Sequence, residues 1–119
     1  MTDSQIEKEI QAKGLVAPRI APADIEANIS STWYINGATG VVPDAHYQPP
    51  VPIGHPLHLL TFCVLVLKNG FTVTGESACA SPENFDAEVG RKIARANAVQ
   101  KIWPLMGYEL RSRLANGTS

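Results

Sequence analysis

His58-Leu59-Leu60-Thr61-Phe62-Cys63-Val64-Leu65-Val66-Leu67-Lys68-Asn69-Gly70-Phe71-Thr72-Val73-Thr74-Gly75-Glu76 is the stretch whose reading decides the fold. Its first ten residues are β-favouring, Asn69-Gly70 suits a two-residue type I′ turn, and Phe71–Glu76 returns as a second strand. A two-residue turn pairs Val66 with Val73 and Val64 with Gly75 on one face, and Leu65 with Thr74 and Leu67 with Thr72 on the other. The first strand is apolar on both faces, unlike the usual one-sided strand of a hairpin. Either other elements cover both sides, or the second face packs on another subunit.

C-terminal to the hairpin, Ser77–Pro82 reads as a connection and Asn84–Trp103 as a long helix. Ser81-Pro82 and Asn84 offer N-cap chemistry, and Glu83, Asp86 and Glu88 suit the positive end of the helix dipole. Phe85, Val89, Ile93, Ala96, Val99 and Trp103 share one face at helical spacing, the expected cover for the hairpin. Pro104 is expected to end or kink the helix, leaving a short amphipathic segment, Leu105–Leu114, and a frayed tail over 116–119. Ala87, Gly90, Ala94 and Ala98 form a small-residue stripe on the opposite face. A glycine inside a helix costs roughly 1 kcal/mol against alanine, so Gly90 points to close approach of another backbone. Gly90, Ala94 and Ala98 are therefore the expected interface of a homo-oligomer.

N-terminal to the hairpin, Ser4 and Glu7 have capping-box spacing, with Ile6 and Ile10 behind them and Gly14 as the stop. Residues 1–18 read as a loosely held helical appendage and residues 19–115 as the single domain. Pro22 suits the first turn of a short helix carrying Ile25 and Ile29 on one face. Ser31–Ile35 reads as a strand that can join the sheet. Pro43, Pro49, Pro50, Pro52 and Pro56 exclude regular structure from a loop over 37–56, in which Pro49-Pro50-Val51-Pro52 favours polyproline II. The predicted fold is α+β: a small antiparallel sheet against one long C-terminal helix, with short N-terminal helices.

Length and composition fit that outline. The 119 residues are 45% hydrophobic and 18% charged, a globular balance that allows a real core without disulfides. A net charge of −1 argues against a bulk nucleic-acid binder. The first residues, Met1-Thr2-Asp3-Ser4-Gln5, lack secretory-signal character, and the longest apolar run, Leu57–Leu67, is too short for a bilayer. The charge is nonetheless divided. Residues 1–90 carry four Lys/Arg against ten Asp/Glu, and residues 91–119 carry six against one. The basic quarter can meet phosphate, or the acidic part of its own or a neighbouring chain.

Few residue patterns point to chemistry. Cys63 sits mid-strand without a thiolate-forming neighbour, and packing is the expected role for it and for Cys79. His46, His55 and His58 match no zinc spacing, so neither metal nor cofactor is expected. Acid pairs, nucleophile–base motifs and phosphate loops are lacking, so the chain does not read as an enzyme. Asn28 and Asn116 match a glycosylation pattern that has no meaning in a chain that is not secreted. One candidate anion site remains. Ser77, Ser81 and Asn84 stand on the loop entering a helix N-terminus. Arg91 and Arg95 lie one turn apart with Lys92 beside them, a pair able to fork onto phosphate oxygens. They flank the expected core face, so a neighbouring chain could bring them beside such a loop. Pairing of Lys92 with Glu88 on a solvated face is the simpler alternative.

Leu60-Thr61-Phe62-Cys63-Val64-Leu65, Asn69 through Cys79, Ser81-Pro82-Glu83-Asn84-Phe85-Asp86, Gly90 through Arg95 and Lys101 through Tyr108 together carry a resemblance. The chain resembles a family of small tailed-phage and prophage proteins named after phage gene products forty-nine and sixty-six, from about Arg19 to Leu114. The resemblance implies a phage context and the host cytoplasm, and it supplies no catalytic residues. By architecture alone, a sheet followed by a long helix in an oligomer also looks like phage anti-defence proteins that sequester cyclic-nucleotide immune signals. The expected function is non-enzymatic anti-defence: binding a phosphate-bearing host signal, a cyclic nucleotide or an ADP-ribose-type ligand. The alternative is an interaction protein that inhibits a host protein through its Pro-rich loop or acidic part. A small hydrolase using Glu76 or Asp86 is the third reading.

Overall fold

A computed structural model describes residues 2–46 and 48–117. Met1, Tyr47 of the Pro-rich loop, and Thr118 and Ser119 of the expected tail lie outside the described residues. Three strands, β1 (Ile29–Asn36), β2 (Leu60–Leu67) and β3 (Thr72–Ala78), form an antiparallel sheet in sequence order. α1 (Asp3–Ala12) and α2 (Pro22–Ala27) precede it, and α3 (Ala87–Ala115) follows. This is the α+β arrangement that the sequence suggested.

The hairpin register differs by one residue from the expected one. Leu65 pairs with Val73, Cys63 with Gly75 and Val64 with Thr74. A type I′ turn needs positive φ at both central residues, and no non-glycine residue among the described residues has it, whereas Gly70 stands at φ 89°. The connection is therefore three residues, Lys68-Asn69-Gly70. Gly70 N–H donates to Leu67 O at 2.9 Å, and Leu67 N–H donates to Phe71 O at 2.8 Å. A slip of one residue moves side chains to the other face. Thr61, Cys63, Leu65 and Leu67 consequently share the helix side with Val73 and Gly75, and all are buried.

The face that α3 presents also differs, although Val99 and Trp103 of the expected stripe pack against the core. Gly90, Ala94, Ala98 and Ile102 are its buried residues, while Val89 is 50% and Ile93 46% exposed. Gly75 decides this. A Cβ there would run into the Ala94 carbonyl oxygen and the Ala98 amide nitrogen, so the helix backbone lies directly on β3. Only small side chains fit such an approach, and the larger ones are displaced to its flanks. The backbone that Gly90, Ala94 and Ala98 were expected to meet thus belongs to the same chain. The stripe is the intramolecular seam and is not free to form an oligomer interface.

Pro104 neither ends the helix nor separates a second segment; α3 continues for eleven residues beyond it. Ile25 of α2 completes the core beside Leu65 and Ile102, whereas Ile29, expected on the same helix, begins β1 after Asn28 caps α2. The N-cap of α1 is Thr2, whose side chain accepts from Gln5 N–H at 3.1 Å while Gln5 Oε1 accepts from Thr2 N–H. That capping box lies two residues before the expected one. α1 buries no residue completely, but it is tied down. Glu7 holds Arg19 through two hydrogen bonds of 2.6 and 2.7 Å, and Asp3 Oδ2 accepts from Trp103 Nε1–H at 3.2 Å.

Candidate functional site

The region between β3 and α3 holds the predicted loop residues. Ser77 and Asn84 line a cavity of about 150 Å³, together with Cys79, Phe85, Asp86, Val89 and Ile93. Ser81 is not among its lining residues. It caps a short 3-10 turn, Pro82–Asn84, and its carbonyl accepts from Asn84 N–H at 3.0 Å and from Cys79 Sγ at 3.1 Å. The N-cap of α3 is Asp86, whose Oδ1 accepts from Val89 N–H at 3.0 Å. The positive end of the helix dipole is thus met by the chain's own carboxylate.

The basic residues stand elsewhere. At ~100° per residue, Asp86, Val89 and Ile93 lie on one flank of the buried stripe, and Arg91 and Arg95 on the other. The structure brings Ser77 and Asn84 together, and separately Arg91 and Arg95, but it does not join the two groups within one chain. Arg95 donates to both oxygens of Glu26 on α2, at 3.0 and 2.9 Å. Those bonds hold the Glu26 carboxyl below its usual pKa and push the Arg95 guanidinium up. Lys92 pairs with Glu88 at 3.3 Å on an exposed face. Arg91 is exposed and forms no ion pair among the described residues.

Sequence reasoning missed Glu26, which is 69 positions from its partner, so no local spacing could show the pairing. It also missed Asp86 as the cap, although an Asp directly before the helical run is a sequence signal of one. Burial pushes the Cys63 thiol up, away from nucleophile chemistry. His55 Nδ1 accepts from Leu57 N–H at 3.2 Å, and His58 Nε2 lies 3.0 Å from Pro52 O. Among the described residues no three His, Cys, Asp or Glu side chains are grouped to hold a metal, and no helix is long and apolar enough to cross a membrane.

The model of the phage protein family described by N4 Gp49 and phage Sf6 gene 66 matches residues 20–114. The chain belongs to this phage family. No curated protein and no solved structure matches it significantly. In this phage protein the family region spans α2, the whole sheet and nearly all of α3, so it contains every residue of the candidate site. α1, the link after it and the residues from Ala115 on fall outside.

Proposed function

We propose that this phage protein is a non-enzymatic anti-defence protein that binds and holds a phosphate-bearing host signal nucleotide without hydrolysing it. The observation that carries this reading is the basic flank of α3. Arg91 is exposed without an acidic partner among the described residues, and Arg95, one turn on, presents a guanidinium oriented by Glu26. A phosphate approaching Arg95 shares or replaces a carboxylate that is already half solvated. The cavity of Ser77 and Asn84 is smaller than the roughly 300–1,000 Å³ of small-molecule pockets. A ligand using both groups therefore lies between two copies, one supplying arginines and the other the loop. Of the two acids that a hydrolase reading names, Glu76 or Asp86, Asp86 lines this cavity and Glu76 does not.

A charge-assisted hydrogen bond contributes about 1.5–3 kcal/mol, so Arg91→Ala/Arg95→Ala should weaken binding by about two orders of magnitude or more. Thermal shift with cyclic di- and trinucleotides and cyclised ADP-ribose forms tests the reading. A ligand that stabilises the wild type but not the double variant, and is recovered intact after heating, is the expected result. Absence of any shift, with a host protein recovered by pull-down, contradicts it and favours the second reading, inhibition of a host protein. That second reading has an observation of its own: on the Pro-rich loop Ile53 projects fully into solvent and Val42 is 79% exposed.

A further inference from the structure

Tyr34 stands beside the arginine flank of α3, on the strand beyond the two that α3 rests on. Gly90 lies against Thr61 of β2, and the Ala94 and Ala98 backbone lies against Gly75 of β3. Asn97 Nδ2–H donates to Glu76 O at 2.9 Å, so the flank that carries Val89 and Ile93 is on the β3 side. Arg91 and Arg95, on the other flank, are on the β1 side. There Tyr34 pairs with Cys63 and Thr32 with Leu65. Directly paired residues share a face, and Cys63 and Leu65 face α3, so Tyr34 does too. It is nevertheless 42% exposed. Arg95 is held charged chiefly by Glu26 and also by Tyr34 and Cys63, which sets its guanidinium beside that pair.

We infer that Tyr34 is the platform on which the base of the bound nucleotide stacks, an inference that rests on the nucleotide reading of this flank. Charge alone makes a weak phosphate site here. Arg91 and Arg95 bring two positive charges, Glu26 offsets one, and Lys92 is paired with Glu88 on an exposed face. A bare phosphate thus meets a net single charge on a partly solvated surface, where ion pairs contribute little. Further affinity has to come from the uncharged part of the ligand, and an exposed phenol ring beside guanidinium groups suits a flat aromatic base. Asn36, also on this side of β1, is occupied: its amide donates to His58 O at 3.1 Å and accepts from Ala38 N–H at 2.8 Å. Trp33 pairs with Val64 and stands on the opposite side of the sheet, so it cannot take the role of Tyr34.

Titration calorimetry of the full chain with cyclic dinucleotides, cyclic trinucleotides and cyclised ADP-ribose tests the inference, on variants that circular dichroism shows to be folded. For the probe that binds, Tyr34→Ala and Tyr34→Leu should weaken binding about fivefold to a hundredfold, the worth of one base stack. Tyr34→Phe, which keeps the ring, should stay within about twofold of the wild type, as should Trp33→Ala on the far side. The Tyr34→Ala loss should be the same at low and high salt, whereas Arg91→Ala/Arg95→Ala should flatten the salt dependence. Binding that needs both arginines but is unmoved by Tyr34→Ala overturns the platform and leaves the nucleotide reading standing. A loss in Tyr34→Phe as large as in Tyr34→Ala assigns the hydroxyl rather than the ring and also overturns it. Failure of every probe to bind the wild type removes both.

Discussion

On the helix side of the sheet Cys63, Leu65, Leu67 and Val73 are buried beneath α2 and α3, and on the other side Trp33 is 60% and Ile35 41% exposed. Both sides of β2 are apolar, yet only one is fully buried; Phe62, Val64 and Val66 on the other are half-buried. The difference comes from a single close approach. Gly75 lets α3 settle backbone to backbone on β3, and the alanines and glycine of the helix fill the seam. One face thus carries the cohesion of the domain, and the other keeps apolar area available for contact.

The largest break in that contrast should come at Gly75. Gly75→Ala drives a methyl into the Ala94 and Ala98 backbone, and the helix must lift from the sheet. Overpacking of this kind typically costs 1–3 kcal/mol, and backbone cannot rotate aside as a side chain can, so about 3 kcal/mol or more is expected. Denaturant unfolding measures it. The same substitution at Thr74, one position along and on the open face, should change stability by less than about 0.5 kcal/mol.

A smaller effect sharpens the contrast within α3, between its seam and its charged flank. Because the Arg95 hydrogen bonds lower the folded-state pKa of Glu26, the pair contributes fully above the usual carboxylate pKa. That contribution is lost as pH falls through the lower folded value. Glu26 is more than half exposed, so screening limits the pair to about 0.5–1 kcal/mol. Glu26→Gln should lower stability by about that amount at neutral pH, remove this acid-dependent component from a stability–pH profile, and leave stability in acid nearly unchanged.

Much of the architecture was legible. Hairpin, long helix, Pro-rich loop and family membership follow from strongly patterned residues between Ile29 and Tyr108. The register was not, because β2 is apolar at every position except Thr61, so alternation gave no face and Asn69-Gly70 accommodates either connection. Only the burial of Leu65 under Ile102 and Ile25 selects between them. The seam was misread for a related reason. Large residues define a helical stripe most visibly, but a glycine in the facing strand makes small ones the better fit. At the candidate site Ser77 and Asn84 are near in sequence and line one cavity, while the occupation of Arg95 by Glu26 depends on a contact that only the folded chain creates.

The account rests most heavily on which side of β2 is the core, and Leu65 with its neighbour Val64 tests that directly. Equilibrium unfolding of Leu65→Ala and Val64→Ala, measured at the same protein concentration, compares the two faces across one peptide bond. The account predicts a loss of about 3–4 kcal/mol at Leu65, the usual cost of truncating a buried leucine, and about 1 kcal/mol or less at Val64. A larger loss at Val64 than at Leu65 would restore the two-residue turn and contradict the fold described above.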